Sequence, residues 1–445
     1  MSVLTEREGG DVGLLDAVAI EVGLVVGGAL FSLTGVATGI AGTGVFVSFA
    51  LAFGIVVLGL VPTAMLGAAF PTTGGNYRYP RAFVSPFVAF LAAWGLGVSM
   101  FGGGLPLYAL TFGQYVESLV AVDPVVVGLA VLTAFFLVNL AGIHVAARVQ
   151  VLLFVALVAA LGVFVVGGAP AVDTANLTPL FSTGPTGLVA GAAVLYFVCL
   201  GANFVVDIGG DVREATVTLP QSLAISVPLV LLLYVATAVV AVGSVGVGAL
   251  TDEPLTVAAD AFLSPGLRGF FVVGGALFAI TTSINAVFII VPKYLDALAT
   301  DRLVPGVLAT TNDRFGTPHW GLALVYLLSV LALVSPLPIA ELGTLLGFGG
   351  IFLIVPVMLA AIRAVRRRPE AFAAVPSYVG RRATTVLAAS AVVCNALLFV
   401  VLATQSPVVC ATWLGLVALG AGYYLVRTRL GAGERDPDPV VEGSL

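Results

Sequence analysis

The sequence predicts an all-α polytopic membrane protein with 12 transmembrane helices. Three observations predict it. Only 9% of the 445 residues are charged and 60% are hydrophobic, whereas soluble domains carry about 25% charge. The mean hydropathy is +1.15. Apolar stretches close to the roughly 20 residues that cross ~30 Å of hydrocarbon recur along the whole chain. A water-soluble fold of this composition could not cover its own surface, so the bilayer must be the solvent for most of it.

Hydropathy places the spans near 14–38, 45–69, 85–112, 124–142, 149–167, 187–209, 222–247, 269–292, 320–336, 340–362, 384–404 and 407–426. The interruptions carry turn chemistry, as in Thr72-Thr73-Gly74-Gly75 and Ser335-Pro336-Leu337-Pro338. The N-terminal segment 1–13 is acidic (Glu6, Glu8, Asp11) and lacks the basic start of a signal peptide, so the first apolar run is expected to be the first span. With that segment in the cytoplasm, 17 of the 18 basic residues fall on the cytoplasmic side and only Arg268 lies outside. The positive-inside rule then puts both termini inside a cell (cytoplasmic) membrane, including the acidic tail 427–445. The run Arg366-Arg367-Arg368 reads as a solvated stop signal.

Cys199, Cys394 and Cys410 sit in apolar runs without a CxxC or metal-ligand pattern and read as small packing residues. His144 and His319 flank loops and suggest no metal site. There is no HExxH and no Ser–His–Asp constellation, so no enzyme and no cofactor is expected. Nothing points to a nucleic acid or to a particular protein partner; the expected partners are the lipid bilayer and a small-molecule substrate.

The first span holds Gly28-Ala29-Leu30-Phe31 and the sixth holds Gly201-Ala202-Asn203-Phe204, five spans apart. Glycine costs about 1 kcal/mol in a helix interior relative to alanine, and Gly23, Gly27, Gly28 and Gly35 cluster in the first span. Unwound backbone in hydrocarbon leaves polar groups unpaired unless something polar meets them. Interrupted segments in corresponding halves are therefore a pointer to a transporter site. A half-helix N-terminus suits a carboxylate and freed carbonyls suit an ammonium group, so a zwitterionic amino acid fits both. Small residues also serve close helix packing, which explains the same glycines without a substrate.

The stretch Gly23 to Gly35 resembles the first-helix signature of the amino acid–polyamine–organocation (APC) superfamily. Phe70-Pro71-Thr72-Thr73-Gly74-Gly75-Asn76-Tyr77-Arg78-Tyr79-Pro80-Arg81-Ala82-Phe83 resembles its second-to-third-helix loop. Asn139-Leu140-Ala141-Gly142 with Ala147-Arg148-Val149-Gln150, Asp211-Val212-Arg213 with Leu219-Pro220, and Ala299-Thr300-Asp301-Arg302-Leu303-Val304-Pro305 are similar to further family motifs in the same order. The resemblance implies a LeuT-type 5+5 inverted repeat, with residues 14–167 and 187–362 as the two repeats and two C-terminal helices within 384–426. It implies a secondary active transporter of amino acids working by alternating access. Gly27, Gly28 and Ala29 would meet the substrate carboxylate, carbonyls near Phe197, Val198 and Leu200 its amine, and Asn203 would join them. The chain departs from the family at Ala29, Met65, Gly210-Asp211 and Glu214-Ala215, which puts its gating and its standard substrate in question.

Leu157 stands where proton-coupled members carry a lysine. In sodium-coupled relatives of this architecture the same site is made of oxygens, and the matching positions are Gly23, Val26, Ala279, Thr282 and Ser283. Sodium coupling is the expectation, although serine and threonine also bond to their own helix. Glu21, about 9 Å before Gly27 along a helix, and Asp207, four residues after Asn203 and expected on the same face, are intramembrane acids and candidates to carry a proton. Alternatively both sit in a solvated vestibule or pair with Arg213 or Lys293. With Asn203, the two acids also suit a polyamine or organic-cation carrier. A channel or membrane sensor is the remaining class, but no ring of charges recurs along the chain.

Overall fold

A computed structural model describes residues 13–72, 74–141, 146–207, 212–312, 315–376 and 379–430. The N-terminal segment through residue 12, Thr73, Gly142, His144, Gly210, Asp211, Arg314 and the acidic tail beyond 430 lie outside the described residues. So do the side chains of Arg148 and Lys293.

The described residues form helices joined by short turns, and no strand occurs among them. The first span is two helices, α1 (Leu14–Val25) and α2 (Gly28–Ala41), parted by an extended Gly27. A tight turn at Gly42, whose φ of 63° favours glycine, leads to α3 (Val45–Ala69). The short α4 (Gly75–Phe83) carries the loop motif. Ser85 caps α5 (Pro86–Ser99) by accepting from Val88 N–H at 3.2 Å, with Pro86 at the first helical position, where its missing N–H costs nothing. A wide π-helical turn, Met100–Gly104, links it to α6 (Leu105–Glu117). Next come α7 (Pro124–Ala141), α8 (Ala146–Gly168) and α9 (Gly184–Leu200), whose end tightens into a 3₁₀ turn at Gly201–Asp207. The long α10 (Ala215–Val245) is followed by the short α11 (Val247–Leu250), α12 (Thr256–Phe262) and α13 (Pro265–Phe270). A second π-helical turn, Phe271–Leu277, opens α14 (Phe278–Thr300). The chain ends in α15 (His319–Leu333), α16 (Ile339–Arg367), the short α17 (Pro369–Ala373), α18 (Arg381–Gln405) and α19 (Pro407–Arg429).

Among the described residues, eight apolar stretches are long enough to cross a membrane; the longest, of 42 residues, is folded into α2 and α3 at Gly42. Three shorter apolar helices accompany them at 124–140, 155–171 and 319–333. The protein is therefore a multi-pass membrane protein. Exposed leucines and valines, such as Leu232, Leu331, Val393 and Leu419, mark surface that hydrocarbon rather than water covers.

Charge sorts to the two ends of the bundle. At the end where α3 passes into α4, Arg81 pairs with Asp301 (2.7 Å), Arg363 donates to the carbonyls of Phe83 and Val84, and Arg427 donates to the carbonyl of Arg302. At the other end, Arg268 pairs with Asp260 and donates to the Ser118 carbonyl, while Asp252 N–H reaches the Gly35 carbonyl.

Small residues let backbones meet. A Cβ at Gly103 in the first π turn would lie 2.7 Å from the Leu342 carbonyl oxygen and 3.0 Å from the Leu346 nitrogen, both backbone atoms of α16. The last helix is tied on by aromatic contact. Trp94 stacks on Tyr423 with centroids 5.9 Å apart and donates its indole N–H to the Leu416 carbonyl, and a side chain at Gly420 would collide with the indole. Trp413 donates to Ser99 Oγ at 2.8 Å.

Replacing Gly103 by Val is expected to push α16 off the π turn and to destabilise the protein by roughly 1–3 kcal/mol, the usual range for overpacking. A thermal melt of the detergent-purified variant beside a Gly102→Val control, whose Cβ meets only a leucine methyl at 3.1 Å, reads the difference.

Candidate functional site

The break in the first span is built by residues that cannot continue the helix yet have polar groups met elsewhere. Gly27 is extended (φ −111°, ψ −168°). The Val25 carbonyl, at the end of α1, accepts from Gly27 N–H at 2.8 Å and from Tyr234 OH at 2.5 Å. The first N–H of α2, that of Gly28, donates to Ser283 Oγ at 2.8 Å. Both glycines are also demanded by close approach. A Cβ on Gly27 would run into the Ser283 hydroxyl, and one on Gly28 would lie 2.9 Å from Ile280 Cα. Packing and unwinding are thus one feature: small residues admit α14, and α14 brings the hydroxyl that meets the exposed amide.

The sixth span behaves differently from the expectation. It is continuous through Gly201-Ala202, where α9 tightens to 3₁₀ without an extended residue. The tighter winding re-pairs each N–H with a nearer carbonyl, so fewer groups are freed than at Gly27. It also moves Asp207 off the face of Asn203, because 3₁₀ side chains eclipse three residues apart, not four.

A cavity of about 390 Å³ lies beside the break. Gly27, Ala29, Phe197, Val198 and Ser283 line it, with Gly201 and Phe204. Gly28, Leu200 and Asn203 are not in its described wall; nor are Val26, Ala279 and Thr282. Sequence reasoning missed Trp94, Met100, Phe101, Tyr108 and Tyr294, which help to complete the wall. The Met-Phe-Gly-Gly-Gly run at 100–104 was the available signal. Among the described residues the lining holds no charged side chain. The cavity reaches Val304, Pro305 and Leu308 towards the arginine-rich end. Towards the other end Tyr115 OH, held between the Phe31 carbonyl and the Leu255 N–H, and the rings of Phe31 and Phe271 fill the bundle.

Neither intramembrane acid lies in the cavity wall. Glu21 is fully buried between α1 and α10 and accepts from Ser222 and Ser226, not from Arg213. Asp207 is buried where α4 meets the 3₁₀ turn. Its carboxylate accepts from Asn76 N–H, Asn76 Nδ2 and Tyr294 OH, each at 3.0 Å, and its carbonyl accepts from Gly74 N–H. Asn76 Nδ2 also reaches the Asn203 carbonyl at 3.3 Å. Asp207 therefore pins the loop motif to the sixth span. Of the oxygens expected to hold a cation, Thr282 Oγ1 donates to its own helix at the Ala279 carbonyl (2.8 Å), and Ser283 Oγ accepts from Gly28.

The profile of the family described as Amino acid permease matches residues 12–423, which covers the break, the cavity wall and the pinned loop. The chain belongs to the amino acid permease family. It is a permease of the APC superfamily, and a membrane transport protein. It is 30% identical over 315 residues to an "Uncharacterized transporter" of Mycobacterium tuberculosis, covering 69% of this chain and 70% of that one. It is 23% identical to the branched-chain amino acid permease BcaP of Bacillus subtilis (81% of this permease, 82% of the relative). It is 28% identical to the mitochondrial cationic amino acid transporter 3 of Arabidopsis thaliana (68% of this permease, 53% of the relative).

Asp207→Ala would leave three buried donors without an acceptor, at about 1–3 kcal/mol each. The variant is expected to lose at least about 3 kcal/mol of stability in a thermal melt, and Asp207→Asn, which keeps one acceptor oxygen, distinctly less.

Proposed function

We propose that this permease is a secondary active transporter that moves neutral amino acids with bulky apolar side chains across the cytoplasmic membrane by alternating access. The observation that carries this reading is the break at Val26-Gly27 beside a cavity whose described walls are apolar and uncharged. The Gly27 and Gly28 amides are met by the Val25 carbonyl and Ser283 Oγ, so at the start of α2 it is Ala29, in the cavity wall, whose amide would face a carboxylate. The end of α9 supplies carbonyls for an ammonium group. Phe197, Phe204, Met100 and Phe101 leave a hydrocarbon side chain as the best match for the remaining volume. Burying an unpaired ammonium there would be costly. A polyamine has two or more such groups and finds no acid among the described wall residues, because Asp207 and Glu21 are engaged elsewhere. The relatives include both a branched-chain permease and cationic amino acid transporters, and the lining favours the former chemistry.

Several features support twelve spans arranged as inverted repeats over 14–167 and 187–362. The third and eighth spans each contain a π-helical turn, at Met100–Gly104 and Phe271–Leu277. The first and sixth change winding at a Gly-Ala pair. Short helices follow the second and seventh, α4 at the arginine-rich end and α11–α12 at the other. On the positive-inside rule the arginine-rich end is cytoplasmic, and both termini are with it. The cavity then leans inward, as in an inward-facing stage of the cycle.

A second reading concerns the driving ion. Ser283 Oγ stands at the break, and with Thr282, Ala279, Val26 and Gly23 it offers the hard oxygen ligands of an alkali cation. Hydroxyls that already donate or accept one bond keep a lone pair for a cation, so the set remains chemically fit for sodium.

Counterflow of radiolabelled leucine in proteoliposomes tests the substrate. Excess isoleucine or phenylalanine is expected to abolish it, and lysine or putrescine to leave it intact; the opposite pattern would establish the polyamine alternative. For the ion, replacing sodium by N-methylglucamine at fixed pH is expected to reduce net leucine uptake roughly tenfold or more if Ser283 and Thr282 hold sodium. Unchanged uptake ends that reading.

A further inference from the structure

Part of the cavity wall belongs to the outside of the bundle. Leu324 and Leu328 on α15 line the cavity, yet they are 36% and 40% exposed. They continue the stripe of Trp320, Leu327 and Leu331 that α15 turns to its surroundings. Residues three and four apart share a helix face, so wall and lipid-facing stripe are one surface. The last helix repeats the pattern: Tyr423 lines the cavity and lies on the face of Leu419 and Val426, both exposed. α15 packs along the first π turn and α19 along α5, so both flank the segment that carries Met100 and Phe101 in the wall. The cavity therefore reaches the lipid-facing surface between α15 and α19.

The depth and the charge of this opening are set by the chain ends beside it. At 1.5 Å per residue, Leu324 and Leu328 lie roughly 8–14 Å from the start of α15, and Tyr423 about 9 Å from the end of α19. Both of those helix ends belong to the arginine-rich side of the bundle. Arg427 follows Tyr423 by one turn on the same face. It donates from Nη2 to the Arg302 carbonyl at 2.8 Å, and Val304 and Pro305, just beyond Arg302, are in the cavity wall. Arg427 thus stands at the mouth, half-exposed, with the exposed Arg302 beside it. Arg427 Nε meets no acceptor among the described residues, and Asp301, the acid of that turn, is held by Arg81 and Tyr77.

We propose that this opening is a binding site for an anionic glycerophospholipid of the arginine-rich leaflet. Its phosphate meets Arg427 and Arg302, and one acyl chain passes between Leu328 and Tyr423 into the cavity as far as Phe101. Arginine pairs with phosphate through charge-assisted bonds, whereas a zwitterionic headgroup would bring an ammonium to a mouth whose acid is already engaged. Apolar wall left without neighbouring atoms forfeits its dispersion contacts, and an acyl chain supplies them. The acidic tail beyond residue 430 matches the arginines but not the hydrocarbon wall. The bound chain leaves the Gly27 end of the cavity to the solute and forms one side of its chamber.

Photolabelling of the full chain in nanodiscs tests the site with no substrate present. The probe is a phosphatidylglycerol carrying a diazirine in one acyl chain, as a minor component of phosphatidylcholine. Mass spectrometry is expected to find the label on Met100 and Phe101, inside the cavity, as well as on outward residues such as Leu397 of α18. Exchanging the phosphatidylcholine for unlabelled phosphatidylglycerol at constant probe is expected to lower the label on Met100 and Phe101 about fivefold or more and to leave that on Leu397 unchanged. Arg427→Gln is expected to lower it about fivefold too, the equivalent of the ~1 kcal/mol that one arginine contributes near an anionic surface. Label confined to outward residues, as when a second copy of the chain or the acidic tail covers the opening, overturns the proposal. So does a cavity label unchanged by the competitor or by Arg427→Gln. Should Arg427→Gln fail to fold, the competition in the wild-type protein decides. The assay involves no transport, so its failure and the failure of the transport reading are separate results.

Discussion

Main-chain polar groups have no water to turn to inside hydrocarbon, and the way that demand is met at one point shapes everything around it. A helix interrupted in a bilayer must find a partner for each freed amide and carbonyl. Here a local turn and two hydroxyls meet that demand: Gly27 N–H and Tyr234 OH both donate to the Val25 carbonyl, and Ser283 Oγ accepts from the Gly28 amide. The hydroxyls come from α10 and α14, so the break is held by two distant parts of the chain. The same two helices then place the cavity on one side of α1 and the Glu21 carboxylate on another.

The multi-pass helical character was legible in the sequence because burial in lipid imposes a long apolar run on each span. The break at Gly27 was legible for a related reason, since adjacent glycines are costly in a helix that does not need them. Gly201 carried the same signal with a different outcome. Its neighbour Asn203 and the loop residue Asn76 give that segment local partners, and it tightens instead of opening. What the sequence did not reveal was pairing across distance. Ser222 and Ser226 look like ordinary helix serines until α1 is packed against them, and Asn76 is one polar residue in a loop full of them. The π-helical turns were hidden too, because one additional residue per turn leaves no mark on hydropathy.

The knot around Asp207 has a different character from the Glu21 pair. Four donors converge on one residue from α4, from Gly74 just before it and from α14, and Tyr77 and Arg81 of the same short helix hold Asp301. The loop motif is thus a clasp joining the ends of three spans. Its acid is met by donors from several elements, which suits a fixed joint, whereas Glu21 accepts from two hydroxyls of a single helix.

The aromatic seam between α5 and α19 gives the last helix a standing that its position in the chain conceals. Trp94 and Tyr423 both belong to the cavity wall, and outside them α19 turns Leu419 and Leu425 to the surroundings. The helix that closes the cavity on this side therefore also faces the acyl chains. A bilayer that is too thin or too thick for α19 tilts the helix, and Trp94 and Tyr423 would carry that tilt into the cavity wall, so the shape of the wall depends on the thickness of the membrane around it.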